Sequence, residues 1–554
     1  MQNFTFGRER SPIGGLFTSA IRADYGQQMR AVPRAFAALA ALALLAGCGG
    51  GDGPARSDRG TKAAPDEQML RAGDFDTLRR AQAAAEAAWR AAELRKLEGH
   101  TSVPAALRRA LLRQAIGQGA HDAFLRAYDG ARLAARRLDG ARRGEELAVL
   151  GEVERLAATG QLRAGRMPAV FLNLRRNTRT WMTASFPRPA ERRTFEGRPQ
   201  VFQYIPGHGM QLHVLATWGV INARLRTCMG APRHCPRRAL TGRLDDLARL
   251  AAPRGGFVAW EYYYPYAQGT PPWMSGMAQA TAIQALSRGA RVLHKPRFRR
   301  LAQRALGAFE TPPPAGVAVP ADGGTRFVMY SFAPTLRILN GELQAINGLR
   351  DAAVLGRSAE ATRLVRAGDV AARAALGGFD TGAWSLYSAA GAESTLSYHQ
   401  LTTRFLEQLC HRTGRAAYCD AGRRFARYER EPPRISISPL HRLWARRAAP
   451  LRFTLSKGSQ VEVRVFGPHG TVLARDLALD RGGHDLQWTP PSRGRFRLHV
   501  QARGPEGKLG ISDRTVQVKF PKPKPKPKRP ERKRPQPARG SVGGDQTGLD
   551  GTVR

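Results

Sequence analysis

Cysteine is sparse in this chain, with five among 554 residues, and none sits at the tight spacing that zinc-binding pairs usually keep. Acid is short as well: 44 Asp and Glu stand against 88 Lys and Arg, for a formal net charge of +44. No apolar run is long enough to span a bilayer. The longest candidate, in "MRAVPRAFAALAALALLAGCGGGDG" from Met29, has about a dozen apolar residues behind Arg30 and Arg34. These shortages disfavour a metal-stapled module, an acidic protein and a polytopic membrane protein. At this length the chain is also too large for one compact core, and two or three domains are expected.

The positive charge has two readings. Arginine encoded at solvated positions by a GC-rich genome accounts for much of it. The other reading is attraction to an anionic partner, such as an acidic polysaccharide or a membrane surface. The N-terminus narrows the compartment. A basic start, a short apolar stretch and the ending Leu45, Ala46, Gly47, Cys48 have the order of a signal segment. That ending resembles the lipobox of bacterial lipoproteins, which implies lipidation at Cys48, a membrane anchor and a location on the outer side of the membrane. Residues 1–28 carry no such logic and read as an overextended start. In an exported chain, the close pairs Cys228 with Cys235 and Cys410 with Cys419 suggest two local disulfides. No nucleic-acid partner is expected, because exported lipoproteins rarely meet one.

Along the chain the organisation is mainly α. Residues 49–65 read as a flexible tether, and 66–185 as a helical N-terminal region with apolar residues at helical spacing. The stretch "RRTFEGRPQVFQYIPGHGMQLH" reads as a hairpin or extended arm leading into a helix. Within 186–430, helical segments are expected at 212–226, 241–252, 275–292, 296–309, 335–355, 358–376 and 397–426. Paired helices joined by alternating loops suggest an (α/α) toroid, with a compact helical bundle as the other possibility. Past Pro432 the period changes to two, and 431–520 reads as an immunoglobulin-like β-sandwich. The end, 521–554, is a basic Pro-rich tail suited to extended polyproline II and to contact with anionic cell-wall polymers.

Chemistry concentrates between Glu261 and Gln408. The stretch "EYYYPYAQGTPPWMSGMAQ" places three consecutive tyrosines before a Pro-Pro-Trp turn. The block "PPWMSGMAQATAIQALSRG" is followed by "YSFAPTLRILNGELQAINGLRD", "FDTGAWSLYS" and "LSYHQLTTRFLEQL". In that order the four blocks resemble the C-terminal catalytic domain of D-glucuronyl C5-epimerases, the heparan and heparosan uronate epimerases. The resemblance covers roughly a third of the chain and leaves out the β module and the tail.

That resemblance implies an (α/α) toroid whose groove holds an acidic polysaccharide, and a reaction that inverts C5 of a hexuronic acid without a cofactor. H5 lies α to a carboxylate, so its removal puts charge on an enolate-like dianion that needs cationic or hydrogen-bonding neighbours. A base is required on one face of the ring and an acid on the other. Block by block, the matching tyrosines are Tyr330, Tyr387 and Tyr398, with Tyr387 and Tyr398 as the acid/base candidates. His399 and Asn340 are expected to position substrate, and Trp273, Tyr263, Gln279 and Arg404 to contact it. Two positions depart from the family. Met329 stands where a carboxylate precedes the first tyrosine, and Ala390 where an arginine is expected. Arg326, Arg337 or Arg404 could replace the arginine, and Glu393 the carboxylate. Two other functions stay open: a lyase, in which the same carbanion expels the C4 substituent, and a non-catalytic glycan-binding lipoprotein.

Overall fold

The computed structural model describes residues 72–520, apart from 196, 322 and 441–442. The expected signal segment with Cys48, the tether at 49–65 and the tail at 521–554 lie outside the described residues. The chain forms two compact units. The first runs to Arg434 and takes in 456–459 and 503–510, and the second holds the remaining residues from Ile435 on.

The first unit begins with five helices: α1 (Ala72–Lys96), α2 (Val103–Leu112), α3 (Gln118–Arg137), α4 (Gly140–Ala158) and α5 (Met167–Thr183). Ser102 starts α2 by accepting the Ala105 N–H, and Val103, Leu107 and Ala110 turn inward at helical spacing. Helices α3 and α5 meet where Phe124 stacks on Phe171, 4.7 Å between ring centres.

The expected extended arm is a three-stranded antiparallel sheet, β1 (Arg192–Thr194), β2 (Val201–Ile205) and β3 (Gly209–Leu212). Buried acids on α4 fasten its tip. Glu145 accepts the Gly207 and Gly209 amides and the Tyr204 hydroxyl, while Glu152 holds His208 and Gln211 at 2.8 Å each. Charge-assisted bonds of this kind, shielded from water, fix the sheet's orientation. The sheet therefore presents Arg192 and the following His213 in a set place.

From there eight helices alternate: α6 (Val214–Gly230), α7 (Arg237–Ala248), α8 (Gly276–Leu293), α9 (Pro296–Leu306), α10 (Leu339–Leu355), α11 (Ala359–Ala375), α12 (Leu396–Thr413) and α13 (Ala416–Tyr428). Helices α6, α8, α10 and α12 pack side by side in that order, and each is backed by the helix that follows it. Helix α8 is buried over nearly its whole surface, as a helix enclosed by neighbours must be. It can approach α10 closely because Gly348 has no side chain; a Cβ there would lie 2.3 Å from the Ala280 carbonyl oxygen. Asp351 on α10 ties three helices together, accepting from Arg288 of α8 at 2.6 Å and pairing with Arg412 of α12 at 3.1 Å.

Local differences from the sequence reading have local causes. The single helix expected over 397–426 is two, because Gly414 sits at φ +64° and ends α12 in a left-handed turn. Helix α7 stops at Ala248, and hairpin β4 (Ala252–Arg254) with β5 (Phe257–Ala259) follows, where Pro253 removes a helical N–H. A second hairpin, β6 (Ala318–Ala321) with β7 (Gly324–Phe327), precedes Tyr330.

Past Arg434 come strands β8 (Ile435–Ile437), β9 (Leu443–Trp444), β10 (Ala449–Leu455), β11 (Ser459–Gly467), β12 (Gly470–Leu479), β13 (Gly482–Trp488), β14 (Gly494–Arg503) and β15 (Leu509–Lys519), which make up most of the second unit. A five-stranded sheet of order β12-β11-β14-β15-β9 and a three-stranded sheet of order β13-β10-β8 share one core. Alternate residues such as Leu451, Phe453, Val461, Val463 and Val465 point inward, which is the period of two seen in the sequence. No described helix is long and apolar enough to cross a membrane.

Candidate active site

The three tyrosines of the separate blocks come together. Tyr330 follows β7 and is pinned by backbone bonds on either side: Gly276 N–H to the Met329 carbonyl, and Ser331 N–H to that of Met274. Tyr387 lies in the loop before α12, held by its own N–H to the Ala392 carbonyl. Tyr398 stands in the first turn of α12. The rings of Tyr387 and Tyr398 are 4.8 Å apart, and the hydroxyls of Tyr330 and Tyr398 both act on that of Tyr387. The ring of Tyr266 lies 5.5 Å from that of Tyr330. Phe332 stacks on Tyr330 at 5.4 Å, and Trp273 meets its edge at 5.9 Å. All three phenols are half-buried.

Burial pushes each of these hydroxyls up from the ordinary phenol range, because the phenolate loses water. Tyr387 rises to about 12, and the hydroxyls of Tyr330 and Tyr398 both stabilise its ionised oxygen. Tyr398 is driven higher by burial, then by the neighbouring phenols, with only Arg192 pulling it back. Of the three phenols, Tyr387 is pushed up least.

The other expected substrate contacts are placed differently. His399 is fully buried, with Nδ1 2.8 Å from the Ser385 hydroxyl, Nε2 2.9 Å from the Phe425 carbonyl, and its ring stacked 3.8 Å from Trp384. Both nitrogens are engaged, so it braces the Tyr387 loop against α12 and has nothing left for a sugar. Gln279 is also fully buried and spends its amide on the Trp260 backbone in both directions. Tyr263 donates to Glu261 at 3.2 Å, inside a buried ion cluster where Glu261 also receives Arg166 and Arg254. Trp273 is 3 % exposed, stacks on Tyr262 at 4.2 Å and bonds the Tyr264 carbonyl, so it packs beneath the phenols. Asn340 is 2 % exposed at the start of α10. Arg404 is exposed and lines a shallow concavity of about 360 Å³ with Glu407, Gln408 and His411, none of them a phenol.

Among the suggested replacements, Arg326 donates to the Pro334 carbonyl and, with Arg337, lies in the field of Glu342. Glu342 is a buried carboxyl that burial raises to about 7. Glu393 accepts the Gly458 amide. The sequence reading passed over Arg192 and Tyr266. Tyr266 was visible in the tyrosine-rich stretch itself, whereas Arg192 is one of many arginines and its position depends on the sheet. Both disulfides are formed, Cys228 with Cys235 and Cys410 with Cys419, which fits an oxidising environment. Among the described residues, no three His, Cys, Asp or Glu side chains gather to hold a metal ion.

A family model described as the D-glucuronyl C5-epimerase C-terminus matches residues 254–427, the span that carries all three phenols. This segment belongs to that family. Within the epimerase-family segment lie α8 to α13 and the loops that bring Tyr330 and Tyr387 against α12. No curated protein matches the chain. Among solved structures it is similar to cellobiose 2-epimerase from Spirochaeta thermophila, at 13 % identity over 47 % of this chain and 67 % of that one. The TM-score is 0.31, too low to carry an argument.

Proposed function

We propose that this chain is an epimerase-like enzyme that acts on C5 of hexuronic acid residues in an acidic polysaccharide. The observation that carries the reading is the gathering of three phenols, from three separate blocks of an epimerase-family segment, into one cluster whose hydroxyls shift one another's acidity. Tyr387, as phenolate, removes H5; the C5–H electron pair passes into the carboxylate as an enediolate, and Tyr387 becomes neutral. C5 then takes a proton on its other face from a second phenol, Tyr398 or Tyr330. Proton transfer from Tyr387 to that second phenol, now a phenolate, resets both groups. Arc-wise packing of α6, α8, α10 and α12, each with an outer partner, supports an (α/α) toroid as the frame of the groove. In this proposal Cys48 anchors the protein by lipid outside the membrane, and the basic tail touches anionic wall polymers.

One observation favours the lyase as the second reading. The rings of Tyr387 and Tyr398 lie 4.8 Å apart, too close to hold a sugar between them, and a base and acid on one face suit a syn β-elimination. Inversion requires the substrate to enter between Tyr387 and its partner. Incubation with heparosan in deuterated water separates the two. Deuterium at C5 with equal chain length is the expected result; ultraviolet absorbance of an unsaturated uronate would replace epimerisation by elimination. Neither signal, in the presence of binding, leaves a glycan-binding protein.

A further inference from the structure

We propose that Arg192, His213 and Tyr262 form an anion subsite that holds the carboxylate of the uronic acid beside the phenol cluster. The proposal rests on the uronate reading above. Its basis is an account of hydrogen-bond donors. Arg192 gives its Nε–H to Gln203, directly across the β1–β2 pair, at 2.9 Å. Its Nη2 lies 3.2 Å from Nε2 of His213. His213 is the N-cap of α6, and its Nδ1 accepts the Ala216 N–H at 3.1 Å.

A nitrogen that accepts carries no proton, so the single proton of the neutral ring belongs to Nε2. Burial, then the Arg192 charge, drives His213 down to about 3, which keeps the ring neutral. Two N–H groups therefore face each other across 3.2 Å, and neither can accept from the other. Moving the ring proton to Nδ1 would only shift the conflict onto the Ala216 amide and undo the cap. Tyr262 adds a third donor in the same field: its oxygen accepts the Leu215 N–H at 3.2 Å, which leaves its proton to give.

Charge points the same way. Arg192 is desolvated, and its electrostatic neighbours are the phenols Tyr398 and Tyr262, with no carboxylate of the described residues among them. A half-buried guanidinium that has lost water and has no counter-ion is less favourable until an anion arrives. A carboxylate supplies that charge and enough lone pairs for Arg192, His213 and Tyr262 together. Held there, the acid lies next to Tyr398, so that C5, one bond away, comes within reach of the cluster. A guanidinium at the carboxylate is also what an enediolate needs as its charge grows.

Calorimetric titration of the full chain tests this with a heparosan oligosaccharide and its carboxyl-reduced counterpart. Arg192→Gln is expected to weaken heparosan binding by about 30-fold, the equivalent of one charged hydrogen-bonding group, and to leave the carboxyl-reduced chain unaffected. Arg192→Lys, which keeps charge but not the fork, should fall between. Should Arg192→Gln fail to fold, Tyr262→Phe carries the test with a loss of about fivefold, the worth of one neutral hydrogen bond. Equal binding of heparosan by wild type and Arg192→Gln would overturn the subsite. So would wild-type protein that ignores heparosan or binds the reduced chain as tightly. Binding that is lost in Arg192→Gln, with no C5 exchange in the wild type, would overturn the epimerase reading and support the subsite.

Discussion

Two groups of tyrosines in this chain invite comparison. Tyr262, Tyr263 and Tyr264 are consecutive and sit on a short stretch clamped by Glu261, Arg166 and Arg254. All three are under 9 % exposed; the rings of Tyr262 and Tyr264 lie against Trp273 and each other, and Tyr263 donates to Glu261. Tyr330, Tyr387 and Tyr398 come from three blocks far apart in sequence and are half-buried, each hydroxyl in the field of the others. Density along the chain thus marks the packed wall, and convergence in space marks the group proposed to pass protons. A phenol on a wall stabilises by area and one bond; a phenol among phenols has its acidity set by its neighbours.

The largest effect that would break this contrast is on Tyr387. Tyr387→Phe removes the oxygen best able to ionise and should lower C5 deuterium exchange by at least about a thousandfold, a loss of roughly 4 kcal/mol from the barrier side. Its melting temperature should stay near that of the wild type; undiminished exchange would return Tyr387 to the wall. A pH series sharpens the point. Because the free protein holds Tyr387 at about 12, it is protonated at neutrality. kcat/KM should therefore climb close to tenfold per unit between roughly pH 7 and 9. A flat profile would mean that another group takes the proton.

The next effect is on stability and comes from a carboxyl near Arg326 and Arg337. Burial raises Glu342 to about 7 in the folded chain, above the ordinary carboxyl value near 4.3. The folded state therefore holds a proton that the unfolded state has already lost, and stability falls as pH rises from about 4.5 to 7. Glu342→Gln should recover up to about 3 kcal/mol at pH 8 and nearly nothing at pH 4, read from urea unfolding. Equal effects at both pH values would mean that the carboxyl is ionised at no cost. The smallest effect returns to the wall: Tyr263→Phe loses one hydrogen bond to Glu261, about 1 kcal/mol, and should leave exchange within about twofold. A collapse of exchange there would erase the distinction between the two groups.

Much of the architecture could be read from residues in order. Helical spacing gave the alternating helices of the first unit, and the change of period after Pro432 gave the strands of the second. The cysteine pairs found each other because short loops hold them near. The site was legible only in part. The phenols could be nominated from their blocks, but His399, Gln279 and Tyr263, nominated the same way, turned out to spend their polar atoms on Ser385 and Phe425, on Trp260, and on Glu261. Polar residues in a matched block serve its packing as often as its chemistry, and only their partners tell which.

The sequence by itself determined element type, the break between a helical and a stranded unit, and the identity of the phenols, because periodicity and block order are properties of neighbouring residues. Tertiary structure alone decided how the three phenols shift one another and that Arg192 stands beside Tyr398 without a described carboxylate partner. Acidity and charge balance depend on burial and on distances between residues remote in the chain, and those exist only once the chain has folded.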